Sequence, residues 1–186
     1  MTLTGGRFEV RLSGSGGQGL MLGGKLLAEA ASVYDGKNSV QTQSYGPEAR
    51  GGKSKTDVVI STEEIDYPKA TKVDVLLAMT QVAADEYADS LKDGGLMVVD
   101  SYLVDSVARE GAVQIPFTML AVEHCGRMLF ANVVALGAIA ELTGVVEWDS
   151  LSSAVMARVP EGTEELNQKA LDIGREAARS ARGKQS

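Results

Sequence analysis

Three glycines, Gly14, Gly16 and Gly19, are spaced G-x-G-x-x-G within Gly14-Ser15-Gly16-Gly17-Gln18-Gly19. Glycine lets the backbone turn tightly and come close to a ligand. A helix that starts just afterwards adds unpaired N–H groups and a partial positive charge, which together attract an anion. The flanking residues supply that context. Phe8–Leu12 alternates apolar and polar side chains, the period of a strand. Leu20–Tyr34 has helical spacing, with Leu22, Leu26, Leu27, Ala30 and Ala31 near one face. Such a turn serves tight helix–strand packing, an anion contact or a full dinucleotide site. The last requires an acid at the end of the second strand, about 20 residues on. Asp35 stands near that distance but before the strand, which ends Gln41-Thr42-Gln43-Ser44 without an acid. Gln18, in the first helical turn, either donates to a ligand or caps the backbone.

A second segment is charged. Tyr45 to Lys55 holds one acid, Glu48, against Arg50, Lys53 and Lys55, a net +2 in a chain of net charge -7. Arg50, followed by Gly51-Gly52, has the space to bind a carboxylate or phosphate through two N–H groups. In doubly wound sheets the loops that follow successive strands meet at the strands' carboxyl ends. The glycine turn and this loop are therefore expected to face one crevice.

Other residues offer little chemistry. Adjacent helical residues diverge by about 100°, so His124 and Cys125 do not form a nucleophile–base pair and read as structural. One cysteine excludes an internal disulfide and a self-contained iron–sulfur cluster, and one histidine excludes a multi-His metal site. No catalytic or metal-ligating set is expected. The acidic balance argues against nucleic acid or an anionic membrane as partner. No stretch approaches the roughly 18 apolar residues of a membrane span, and nothing resembles a signal peptide. A cytoplasmic protein is expected. Asp100-Ser101 reads as a crevice position or a cap, Asn132 as a hydrogen bond to a loop backbone, and the methionines as core filler.

The elements that must position these residues alternate. Strands are predicted at Ser39–Ser44, Thr56–Ser61, Asp74–Met79, Leu96–Val99 and Val113–Ile115. The run at Asp74–Met79 is continuously apolar, as in a strand buried on both faces. Helices are predicted at Val82–Leu91, ended by Asp93-Gly94-Gly95, and at Phe117–Cys125, ended by Gly126. Others follow at Leu129–Leu142, ended by Gly144, at Ser150–Ala157, capped by Asp149, and at Glu164–Arg182. The last carries the stripe Leu166, Ala170, Ile173, Ala177 and Ala181. This pattern is an α/β fold: a three-layer α/β/α Rossmann-like domain with a mostly parallel, possibly mixed sheet and a helical C-terminal part. A single domain over residues 1–186 is expected.

The two loops together narrow the reading. Gly-Ser-Gly-Gly-Gln-Gly after the first strand, followed by Ser44-Tyr45-Gly46-Pro47-Glu48-Ala49-Arg50-Gly51-Gly52, resembles the gamma subunit of the 2-oxoacid:ferredoxin oxidoreductases. Val58–Ser61, Asn132–Ala138, and Pro160 with Asn167, Ala170 and Gly174 are similar as well. Lys53 departs from the small residue expected after Gly51-Gly52 and adds charge to the loop. The resemblance implies an accessory subunit. The whole enzyme would oxidatively decarboxylate a 2-oxoacid with coenzyme A to acyl-CoA, carbon dioxide and reduced ferredoxin, with 2-oxoglutarate or a general oxoacid as substrate. By the same resemblance, thiamine diphosphate with magnesium and the iron–sulfur clusters belong to other chains, and this chain holds no cofactor alone. Its partners would be alpha, beta and delta-type subunits, and ferredoxin through the complex. Gly14, Ser15, Gly16, Gly17, Gln18, Gly19, Tyr45, Glu48 and Arg50 are the candidate coenzyme-side residues. An independent Rossmann-type nucleotide- or CoA-binding protein is the alternative.

Overall fold

A computed structural model describes residues 6–45 and 52–183 of the chain. Six strands form one sheet: Arg7–Ser15 (β1), Asn38–Tyr45 (β2), Lys53–Ser61 (β3), Val73–Ala78 (β4), Leu91–Asp100 (β5) and Val113–Ile115 (β6). Their spatial order is β2-β3-β1-β4-β5-β6. The pairs β1–β4, β4–β5 and β5–β6 are parallel, whereas β3 runs antiparallel to both β1 and β2. The sheet is mixed with a parallel majority. The register sets Ser15 opposite Lys53 and Tyr45 opposite Ser54. The end of β1, the end of β2 and the start of β3 therefore share one edge of the molecule.

The helices are Leu20–Glu29 (α1), Gln81–Tyr87 (α2), Phe117–Cys125 (α3), Ala131–Thr143 (α4), Trp148–Met156 (α5) and Glu164–Gly183 (α6). Strand side chains alternate between the faces of a sheet, and here the two faces are treated differently. Val10, Leu12, Val58, Ile60, Val75 and Leu77 join the main core with residues of α1, α3, α4, α5 and α6. Leu76, Ala78, Met97 and Val99 point the other way, to a smaller core with Ala83 and Ala84 of α2. The apolar run of β4 is thus buried on both faces, as its sequence predicts.

Gly126 and Gly144 end α3 and α4 with φ of +77° and +64°, as expected. Elsewhere the structure departs from the sequence reading. α1 continues as a π-helical segment, Ala30–Tyr34, and Leu22, assigned to its core face, is 42% exposed. β3 starts at Lys53, so Lys53 and Lys55 are strand residues and not loop. Asp93–Gly95 does not end a helix. It is an irregular stretch inside β5, with Gly94 at φ +73° and a register shift opposite Val73 and Val75. α5 starts one residue before Asp149, at Trp148, so Asp149 lies in the first turn and does not cap it. The Glu147 N–H there donates to Asp35 Oδ2 at 3.1 Å, so a distant carboxylate anchors this end.

The buried stripe of α6 is Asn167, Ala170, Leu171, Gly174 and Ala178; of the expected stripe, Ala170 is shared, Ile173, Ala177 and Ala181 pack half-buried at its margin, and Leu166 lies exposed. The crossing with α4 causes the difference. A Cβ on Gly174 would stand 1.8 Å from Val134 O, and one on Gly137 would stand 2.2 Å from Leu171 O. Two helix backbones meet where neither residue has a side chain, so the small residues, not the large ones, choose the contact face.

Candidate functional site

The glycine turn is built by its own side chains. Ser15 N–H donates to Gln18 Oε1 at 2.7 Å, and Gln18 Nε2 donates to Met79 O at 3.2 Å. Gln18 therefore ties the turn to the end of β4 and takes the second of its two expected roles, holding the backbone. A Cβ on Gly14 would fall 2.2 Å from Gln18 Oε1 and 3.0 Å from Met79 Cβ, so Gly14 is required by this packing. Gly19 caps α1 in the left-handed region at φ +74°, and its carbonyl accepts from Asn132 Nδ2 at 3.1 Å. Asn132 makes the loop-backbone bond expected of it and pins the start of α4 against the turn. Gly17, at φ +92°, has no atom of the described residues within 4 Å of a would-be Cβ.

The two loops meet. Gly16 N–H donates to Gly52 O at 2.8 Å, which joins the glycine turn to the residue leading into β3. The neighbouring cleft, of about 230 Å³, is lined by Ser15, Gly52, Lys53, Thr80, Val82 and Tyr87, among others. Small-molecule sites usually span about 300–1,000 Å³, so this cleft holds part of a ligand at most. Thr80 caps α2 by accepting from Ala83 N–H at 3.3 Å. Lys53 Nζ lies 2.5 Å from Glu86 Oε2, so the residue that adds charge to the loop clamps β3 to α2. That contact holds the Glu86 carboxyl below its ordinary range.

Beside this cleft, on the face that α2 only partly covers, lies a charged cluster that the sequence reading missed. Arg11 Nε and Nη2 donate to Asp57 Oδ1 and Oδ2 at 2.7 and 2.8 Å, a buried two-point ion pair between directly opposed residues of β1 and β3. Burial pulls the Arg11 pKa down, but the hydrogen bonds and charge of Asp57 outweigh it and hold the guanidinium above its ordinary value. Tyr87 lies between two cations, with Arg11 Cζ 5.3 Å and Lys55 Nζ 5.2 Å from its ring centre. Burial and the Glu86 carboxylate push the Tyr87 phenol up to about 12. A hollow of about 340 Å³ follows, lined by Thr42, Gln43, Ser44, Lys55, Asp57, Lys69 and Ala70. The usable signal was a charge inside each apolar strand, Arg11 between Val10 and Leu12 and Asp57 before Val58.

Gly14, Ser15, Gly16, Gly17, Gln18 and Gly19 thus stand at one edge with Gly52. Tyr45 closes β2 at the same edge, and its side chain, Glu48 and Arg50 lie outside the described residues. Asp35, the nearest substitute for a ribose-binding acid, is at the opposite end of the sheet. It holds Lys37 Nζ at 3.0 Å and the Glu147 N–H. Asp100 takes the cap reading: its Oδ2 accepts from Thr118 N–H at 3.0 Å and Thr118 Oγ1 at 2.5 Å, fixing the start of α3. Burial raises its pKa against those bonds. Cys125 is buried with its thiol pushed up by burial, while His124 lies at the surface. Among the described residues no group of three His, Cys, Asp or Glu is placed to hold a metal, and no helix is long and apolar enough to cross a membrane.

Comparison with known proteins places this geometry. A family model described as pyruvate ferredoxin/flavodoxin oxidoreductase matches residues 9–177. The 2-oxoglutarate synthase subunit KorC of Methanocaldococcus jannaschii is 49% identical, over 93% of this chain and 95% of its own length. The crystal structure of a keto/oxoacid ferredoxin oxidoreductase gamma subunit from Geobacter sulfurreducens superposes with a TM-score of 0.87 at 49% identity, covering 95% of this chain and 98% of that one. A 2-oxoglutarate:ferredoxin oxidoreductase from Magnetococcus marinus, solved with 2-oxoglutarate, coenzyme A and succinyl-CoA, superposes with a TM-score of 0.84 at 25% identity. It covers 95% of this chain but only 32% of that longer chain.

Proposed function

The chain belongs to the pyruvate ferredoxin/flavodoxin oxidoreductase family, and from that membership we propose that it is a single gamma-type domain, residues 1–186, whose glycine edge completes a coenzyme A site begun by other subunits. Its relatives are subunits of 2-oxoacid:ferredoxin oxidoreductases, and the 2-oxoglutarate type is the one its end-to-end likeness to KorC supports. The activity of the whole enzyme is oxidative decarboxylation of the oxoacid with coenzyme A to acyl-CoA, carbon dioxide and reduced ferredoxin. Thiamine diphosphate, magnesium and iron–sulfur clusters supply the bond-breaking and electron transfer from the alpha, beta and delta-type partners.

The observation that carries the coenzyme reading is the Gly16–Gly52 hydrogen bond, because it makes the glycine turn and the charged connection one surface. The donor set fits an anionic, partly apolar ligand. Ser15 and Thr80 offer hydroxyl groups, Val82 and Tyr87 offer apolar area, and the Lys53 ammonium is shared with the Glu86 carboxylate that also lines the cleft. Ser15 and Gly17 would approach the ligand while Gly14, Gln18 and Gly19 hold the turn in shape. Gly16 would link the loops, and Tyr45, Glu48 and Arg50 would act from the connection. The dinucleotide alternative loses its acid, since Asp35 is committed at the far end of the sheet.

The test is reconstitution. The isolated chain should turn over no oxoacid. Combined with the chains encoded beside it, it should support ferredoxin reduction that depends on coenzyme A and prefers 2-oxoglutarate in kcat/KM. Turnover by the isolated chain would overturn the accessory-subunit reading, and a preference for pyruvate would overturn the substrate.

A further inference from the structure

The apolar surface of this chain is unevenly distributed. Met119, Val122, Met128 and Leu129 are all well exposed, Met128 and Leu129 at 68% and 60%, and they fall within one short stretch that runs from α3 into the 3₁₀ turn Met128–Phe130. Met119 and Val122 are three residues apart on α3 and so lie on one face of it. Phe130 turns inward to the main core while its two predecessors stay outside. Leu166, at the first turn of α6, extends the patch: its carbonyl accepts from Cys125 Sγ at 3.8 Å, which sets it against the end of α3. Methionine and leucine held in water at one turn cost solubility, and such clusters mark protein contacts.

The occupant follows from the lengths of the relatives. In the Magnetococcus enzyme the counterpart of this chain makes up about a third of a longer chain, so the remaining two-thirds is tethered to that domain. In KorC, 95% of whose own length this chain matches, the same domain is a separate subunit, and permanently associated chains meet through contacts more apolar than the rest of their surfaces. The patch is also tied to the candidate site. Two residues beyond Phe130, Asn132 donates to Gly19 O, so a chain seated on the 3₁₀ turn would sit beside the glycine edge.

We infer that the surface formed by Met119, Val122, Met128 and Leu129, with Leu166 at its rim, is where the companion catalytic chain docks, and that Met128 and Leu129 are its central anchors. This rests on the accessory-subunit reading. Removing two central apolar anchors and replacing them by charge costs binding heavily, with at least about a 100-fold loss of affinity expected. Because both side chains are exposed, the fold of the isolated chain stays intact.

The test is co-expression of M128D/L129D with the chains encoded beside it, followed by affinity purification through a tag on this chain. Val33→Asp, at a residue 68% exposed in the π-helical segment, is the control. Loss of the companion chain from M128D/L129D, with its melting temperature unchanged and with Val33→Asp retaining the companion, is the expected result. Retention by M128D/L129D overturns the proposal, as does equal loss by both variants. A wild-type dimer that M128D/L129D turns into a monomer while the complex survives assigns the patch to self-association and also overturns it. If wild-type chain retains no companion at all, it is the accessory-subunit reading that fails.

Discussion

On one face of the sheet Val10, Leu12, Val58, Ile60, Val75 and Leu77 meet five helices. On the other, β1 and β3 present Glu9, Arg11, Ser13 and Asp57, while β4 and β5 meet a single seven-residue helix, α2, in the smaller apolar core. The first face is closed by shape, with α4 and α6 crossing so tightly that two glycines are obligatory. The second is closed by charge over β1 and β3, where Arg11 and Asp57 satisfy each other and Lys53 and Glu86 tie α2 down, and by a small apolar core only over β4 and β5. The difference shows where a chain of this size spends its stability and where it keeps polar surface for use. The candidate cleft opens on the face held by charge.

The comparison breaks first at the α4–α6 crossing. Gly174→Val should cost upwards of about 5 kcal/mol, because the new side chain meets backbone that cannot move aside. Urea unfolding should find no stable folded baseline. Next comes Arg11→Met, which leaves Asp57 buried and unpaired and should cost about 3–5 kcal/mol. Adding Asp57→Leu should restore most of that loss in the same melt. If the double variant stays as unstable as the single, the pair does more than neutralise itself. Asp100→Ala removes the acceptor for both Thr118 donors and should cost about 1–3 kcal/mol by denaturant midpoint.

Gly17→Ala should cost only about 1 kcal/mol, for its left-handed backbone, since no described residue lies within reach of the new methyl group. A larger drop in the coenzyme-dependent rate than in stability would place Gly17 against the ligand. The smallest effect is a titration. Tyr87 should ionise late, at about 12 against an ordinary 10. Its folded pKa is raised, so its contribution to stability is fully present below pH 10 and is lost as pH rises through 12. Ultraviolet difference titration should show a late phase that Tyr87→Phe abolishes.

Much of this was legible where the signal is local. The strand–turn–helix unit around Gly14–Gly19, the glycine stops after α3 and α4, and the doubly buried β4 are read from neighbours in sequence. The insertion of β3 between β2 and β1 is not, because strand order depends on pairings between distant segments. It was that order, and not any residue, that brought Gly52 to Gly16. Lys53 and Lys55 read as loop because their polarity hides a strand whose open face needs no apolar side chains. The α6 stripe was off by part of a turn: Ala170 is buried and Ile173, Ala177 and Ala181 pack at the margin of the core, but Leu166 is exposed and the crossing selected for absence of bulk at Gly174. The cluster of Arg11, Asp57 and Tyr87 went unseen because two of its members are far apart in sequence and become partners only through register.

The antiparallel placement of β3 also orders events in time. Strands β2 and β3 are separated by only seven residues, 46–52, whereas β1 must wait for β4, whose first residue is Val73. Closing a short loop is fast and parallel pairing across a long one is slow. As the chain leaves the ribosome, the β2–β3 hairpin can zip as soon as residue 61 is out and can then receive β1 along its full length. The edge that carries both candidate loops would then be assembled before the parallel half of the sheet exists, making the proposed coenzyme edge an early product of folding.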